Sequence, residues 1–428
     1  MVATLIAWVV RVRAAAVMVA PAVAAALVFA APARSEPDMS ASMRGVLGPY
    51  AMTRESSGTS WQPDASEHAG LHVMAGDWML MGHALLNGVY DWQEGPRGDR
   101  STFLSGMLMG TARRVLPGGD ALQLRAMLSP DPLMGKRGYP LLLQTGETAD
   151  GRTPLVDRQH PHDLWVELSA SYSHALAARD AVFVYAGLPG EPAFGPPAFM
   201  HRLSVMDSPE APITHHWLDS THIVFGVVTA GFVHADWKLE MSRFRGREPD
   251  QFRYNIETGP LDSTAARVSW NPLRTLSLQL SWAELMHPEQ LHPEENQRKW
   301  SASSIYTRPF HGQYWWSTTL AWGRRSSQAG WLDAYAVESA LRFNALWTGF
   351  VRAERVDNDE LIPALATHGP AYTVGKLSSG LIRDFPLAGH MKIGVGAQYA
   401  VNFVPDALAG TYGSSPRGAM VFVRLKVE

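Results

Sequence analysis

The sequence predicts a single closed antiparallel transmembrane β-barrel of about sixteen strands (14–18), an all-β chain with long outer loops and short periplasmic turns. Three observations predict it: an export signal at the N-terminus, no later apolar run long enough for a spanning helix, and period-two alternation that recurs along the chain.

The export signal comes first. Arg11 and Arg13 precede an apolar run from Ala14 to Ala31, and Ala31-Pro32-Ala33 supplies an A-x-A cleavage site. Pro21 interrupts the run, and a segment rich in Ser, Glu and Asp follows it, as expected of a cleaved signal rather than a retained anchor. The expected organisation is therefore a signal peptide at 1–33, an N-terminal periplasmic segment at 34–70, and the outer-membrane barrel at 71–428.

Composition narrows the function classes. Removing Arg11 and Arg13 from the 37 Lys+Arg leaves 35 against 40 Asp+Glu, and no basic block is present, which argues against nucleic acid as a partner. With no cysteine there is no disulfide, thiolate metal site or lipidated N-terminal cysteine, so a soft metal ion would have to be held by Met or His. The 15 Trp, 12 Tyr and 15 Phe are enough to build aromatic girdles against outer-membrane lipid.

Alternation places the strands. Leu276, Leu278, Leu280 and Trp282 share one face, with Ser277, Gln279 and Ser281 on the other; Ile393 to Phe403 alternates in the same way with Lys392 to Asn402. Strands are expected near 72–92, 101–115, 120–130, 162–174, 181–189 and 219–232, with ten more ending at 417–428. Tight turns such as Pro117-Gly118-Gly119-Asp120 and Asn271-Pro272 are interleaved with long loops at 131–161, 190–218 and 247–262. That rhythm returns both ends of the chain to the periplasmic side.

On the first three strands the alternation points Asp77, Met79, Met81 and His83, then Phe103, Met107 and Met109, then Gln123, Arg125 and Met127, into the lumen. Thioether sulfur suits Cu(I) or Ag(I), and a ladder of weak sites passes an ion without trapping it. Histidines concentrate in two long loops, as His160-Pro161-His162-Asp163 and as His215-His216-Trp217-Leu218-Asp219 with His222. In an extended chain His160 and His162 point to one side, and Asp163 or Asp219 can act as oxygen ligand or orienting partner. Equally, methionine is an adaptable apolar filler, and the histidines can serve to pack loops that narrow the barrel mouth. Mixed charges at Glu240, Arg243, Arg245, Arg247, Glu248 and Asp250, and at Arg352, Glu354 and Arg355, are expected as lumen charges that orient solutes. Ser204 or Ser220 with a nearby histidine and Asp219 is the one hydrolase arrangement available. No G-x-S-x-G or H-E-x-x-H pattern supports it, and catalysis is not expected.

Several segments, Thr53 to Pro63, Met74 to Met81, Asp131 to Pro140, Asp157 to Asp163, Pro209 through His222 and Phe244 to Asp250, resemble a family of uncharacterised bacterial outer-membrane β-barrel proteins. The resemblance covers nearly the whole mature chain. That family is often encoded beside copper and other heavy-metal efflux genes, which implies a role in metal handling, with metal ions and periplasmic metal-efflux components as partners. It carries no assigned catalytic or binding residue to transfer. The leading expectation is thus an outer-membrane channel or binding barrel that handles a soft metal ion such as copper or silver, as ligand or cargo. The alternatives are a porin-like channel for small organic solutes with structural histidines, and an outer-membrane hydrolase.

Overall fold

In the computed structural model, residues 44–67, 70–310, 314–362 and 369–428 are described. The expected signal peptide lies outside them.

Sixteen strands form the wall: β2 (Trp78–Gln93), β3 (Arg100–Val115), β4 (Ala121–Leu128), β7 (Trp165–Ala177), β8 (Asp180–Gly187), β9 (Val227–His234), β10 (Trp237–Phe244), β11 (Ser263–Leu273), β12 (Leu276–Leu285), β13 (Gln297–Pro309), β14 (Trp315–Ser327), β15 (Gly330–Arg342), β16 (Trp347–Asn358), β17 (Tyr372–Ala388), β18 (Met391–Phe403) and β19 (Arg417–Val427). Each pairs antiparallel with the next, and β19 returns to β2 in register from Gly418↔Gln93 to Val427↔Ala84. The ring is closed, so the wall presents no long free edge to lipid, which is what a hydrocarbon environment demands of a backbone. Where β19 stops, β1 (Leu71–Ala75) takes over the same edge of β2, from Leu71↔Gly82 to Ala75↔Trp78.

The outward face is apolar. Leu239, Met241, Leu280, Leu320, Val395 and Val421 are each at least half exposed. In water such a belt would be an aggregation surface; in a bilayer it is the lipid contact. Exposed aromatics gather at both rims. Trp237, Trp270, Trp316 and Phe385 stand near the turn end, with Trp237 and Trp270 stacked at 4.7 Å, and Trp92, Trp331 and Phe403 stand near the loop end.

Three strand expectations change. The run 72–92 is a hairpin, because Gly76 adopts φ +62° and turns the chain at Asp77. Asp77 is therefore exposed at the turn, where it accepts from Arg114 at 2.7 Å, and does not face the lumen. The expected strand 219–232 begins only at Val227, since Ser220–His222 is a helical turn, and the strand expected from 162 begins at Trp165. Of the expected lumen charges, Glu240, Arg352 and Glu354 are buried inside, while Arg243 and Arg355 sit on the outward parity of β10 and β16.

The lumen is filled. Between β4 and β7 the chain folds inward through a hairpin of β5 (Tyr139–Thr148) and β6 (Pro154–Gln159), and between β8 and β9 residues 188–226 follow. Leu141, Phe199, Leu203 and Val205 from these loops pack against Val89, Phe103, Phe350 and Phe422 of the wall. Tyr139 stacks on Phe103 at 4.3 Å, and its hydroxyl accepts from the Ala211 amide at 2.8 Å. Residues 44–67, the described part of the expected periplasmic segment, also pack within the wall: Val46, Leu47, Tyr50 and Trp61 meet Ala121, Phe183 and Val233, and Thr59 donates to Glu240 at 2.6 Å.

Candidate functional site between two cavities

The two inward loops bring all five predicted loop histidines together. His160 and His162 follow directly on β6, His215 and His216 lie in the short helix His215–Leu218, and His222 ends the turn Ser220–His222. Ring centroids are 5.1 Å apart for His162–His222 and for His215–His222, 5.4 Å for His215–His216 and 5.6 Å for His160–His216.

Local structure orients each ring. One helical turn sets Asp219 below His215, so that Nδ1 of His215 meets Asp219 Oδ1 at 2.8 Å, while Nδ1 of His222 meets the Asp219 carbonyl at 2.7 Å. His162 Nδ1 meets Asp131 Oδ2 at 2.8 Å. A carbonyl or ionised carboxylate only accepts, so in each case Nδ1 carries the hydrogen and Nε2 keeps its lone pair. Burial holds His160, His216 and His222 well below the usual histidine range, so these imidazoles are neutral. The Nε2 atoms of His160, His162, His216 and His222 are buried without a hydrogen-bond partner.

Asp219 is itself anchored. Arg202, fully buried, donates to Asp219 Oδ2 at 2.6 Å and to both oxygens of Glu338 on β15, at 2.6 and 2.8 Å. Despite burial, this guanidinium keeps the Asp219 carboxyl well below the ordinary range. Asp163 departs from its expected role. Its carboxylate accepts from Arg253 at 3.2 Å, and burial raises its pKa to about 7. Asp131 and Glu147, not singled out by sequence, contact the histidines instead, with Glu147 Oε1 3.1 Å from His160 Nδ1.

Cavities lie on either side of this layer. The outer one, about 60 Å³, is lined by Glu147, Glu248, Glu289, His292, Asp359 and Glu360 among others, and burial pushes Glu248 up to about 8. Its wall reaches the histidines through Glu147 at His160 and Glu248 at His216, 3.9 Å away. The second cavity, about 100 Å³, opens toward the turn end and carries Met52, Met79, Met81, Met109 and Met206 with His72, His83 and His201. The predicted methionine ladder is therefore split. Met79, Met81, Met109 and His83 border this cavity, whereas Met107 and Met127 are packed into an apolar cluster with Leu85, Val166 and Ile223.

Among the described residues the expected serines do not meet the expected histidines. Ser204 bonds Thr319 at 2.7 Å and Glu338 at 3.1 Å, and Ser220 accepts from Lys299 at 3.1 Å; neither meets an imidazole.

No family model and no curated protein sequence matches the chain, and neither comparison supplies a link to metal-efflux genes. Among solved structures it is similar to OmpF of Salmonella typhi in complex with daunomycin, with a TM-score of 0.54 at 10% identity over 83% of this chain and all of that one. The wall has the porin fold. OprB of Pseudomonas putida has a TM-score of 0.48 at 8% identity, covering 81% of this chain and 94% of that one. An anion-selective porin from Comamonas acidovorans has 0.46 at 11%, covering 82% and 99%. The fold is that of a closed sixteen-strand porin-like barrel, and its lumen is occupied by two loops and an N-terminal segment.

Proposed function

We propose that the protein is a narrow, porin-like channel of the outer membrane for small hydrophilic solutes. The observation that carries this reading is the pair of cavities inside one closed wall, each bordered by charged side chains and lying on either side of the loop histidines. Ordered loops held inside a barrel set a size limit, and charges along the wall select among solutes. Carboxylates such as Glu248, Glu289 and Glu360 border the outer cavity and Arg113, Arg125 and Lys426 border the second, so both signs of charge line the space. Reconstitution of the purified chain into planar bilayers tests the reading. Discrete conductance steps well below those of an open sixteen-strand porin are expected, and a folded barrel that never conducts would sink it.

Handling of copper or silver is the second reading. The second cavity favours it, since five thioethers and three imidazoles around one space form a soft, neutral donor set. Silver-dependent block of conductance, lost in a Met79→Leu/Met81→Leu/Met109→Leu chain, is the result expected of it. Block that persists in that chain would remove the thioethers from the account.

A further inference from the structure

We infer that His162, His215 and His222 form a three-imidazole site for a divalent d-block ion such as Zn2+, and that the ion fastens together the two loops that fill the lumen. One ring nitrogen from each of the three lies within 4.8 Å of those of the other two, and all three side chains are buried. A tetrahedral ion with Zn–N bonds near 2.1 Å needs roughly 3.4 Å between ligands, so from separations within 4.8 Å the rings need close by at most about 1.4 Å.

The surroundings match a metal site in detail. Each Nδ1 is engaged by an acceptor, from Asp131 for His162, from the Asp219 carboxylate for His215 and from the Asp219 carbonyl for His222. Such partners fix the tautomer and leave Nε2 with its lone pair, as histidines that ligate metals require. Nε2 of His162 and of His222 is buried without any hydrogen-bond partner, a costly arrangement for a polar atom unless a ligand completes it. Three imidazole nitrogens suit Zn2+ or Cu2+, whereas Ca2+ and Mg2+ call for oxygen. The thioethers that would draw Cu(I) or Ag(I) border a different cavity.

The chain positions of the ligands supply the second half of the inference. His162 belongs to the loop between β4 and β7, and His215 and His222 belong to the loop between β8 and β9. An ion bound to all three cross-links segments that are otherwise joined by packing and hydrogen bonds such as Tyr139 to Ala211. Binding only the packed arrangement, it favours that arrangement about a hundredfold when present at a hundred times its Kd. The effect on conductance rests on the channel reading above; ion binding and loop fastening do not.

The experiment uses the full chain, purified in detergent, stripped with chelator and titrated with Zn2+. Elemental analysis reads stoichiometry, calorimetry reads affinity, and trypsin cleavage within 129–164 and 188–226 reads fastening. One Zn2+ per chain and slower cleavage are expected. His162→Gln and His222→Asn, which retain a donor for the Asp131 and Asp219 acceptors and whose folding is checked by heat-modifiable gel mobility, are each expected to lose at least a hundredfold in affinity. Asp131→Asn, a positioning change, is expected to lose ten- to a hundredfold. The exposed His174→Ala serves as control. A folded chain that retains no Zn2+, or variants that bind as the parent does, would overturn the site; bound Zn2+ with unchanged cleavage would overturn the fastening. A chain that binds Zn2+ with loop protection yet never conducts would overturn the channel reading alone.

Discussion

Replacing Arg202 with methionine is expected to free the loop between β8 and β9 from the wall. The guanidinium is about 1% exposed and is the shared partner of Asp219 and Glu338, which are 2% and 0% exposed. Removing one member of a buried ion pair costs about 3–5 kcal/mol, mostly because a carboxylate remains without a counter-ion. At about 1.4 kcal/mol per decade, the population with the loop displaced rises roughly 10²- to 4 × 10³-fold. The barrel itself is expected to stay closed, because its ladder pairing does not involve Arg202. Chymotrypsin cleavage within 188–226, after residues such as Phe194, Phe199 and Trp217, and single-channel recordings in planar bilayers both read this population, and the variant is expected to be cleaved faster and to show larger or longer openings. Adding Glu338→Leu removes one stranded carboxylate and is expected to recover a large part of the loss. If Arg202→Met protects and conducts like the parent, or if the second change recovers nothing, the ion pair does not hold the loop and the reasoning fails.

Two further outcomes are expected. Burial pushes Glu191 up to about 8, against 4.5 for a free glutamate, so its contribution to loop stability is complete below about pH 4.5 and is lost as pH rises through 8. Glu191→Gln is expected to flatten this fall, read as Trp217 fluorescence between pH 5 and 9; an unchanged pH profile would contradict the assignment. Tyr139→Phe strands the buried Ala211 amide at a cost of about 1–3 kcal/mol, and is expected to speed hydrogen exchange at Ala211 roughly 10- to 100-fold. Unaltered exchange there would show that the tyrosine does not tie the loops together.

The wall was legible because alternation is a local property. Leu276 to Trp282 and Ile393 to Phe403 carry their outward and inward faces in adjacent residues, and both stretches lie in the strands expected of them. The turn at Gly76-Asp77 was hidden because alternation continues across it, so one strand and a hairpin read alike. The imidazole cluster was legible in part, since His-Pro-His and His-His-x-x-Asp-x-x-His concentrate ligand types within a few residues. Asp131, which orients His162, lies at the far end of the same loop, and only tertiary folding joins them. The fate of the methionines was illegible for a related reason. Alternation points Met107 and Met127 inward correctly, but whether an inward side chain meets water or packed loop depends on Ile223 and its neighbours, a hundred residues on.

The seam of the barrel has a bearing on biogenesis. The last strand leaves the first one uncovered at its base, and the five residues of β1 finish the job, so the cylinder is sealed by two pieces of chain from opposite ends of the sequence. A protein trimmed up to Trp78 would insert with a notch of unsatisfied amides and carbonyls at the inner leaflet. Its neighbours in the bilayer would be the most available source of hydrogen bonds for that notch.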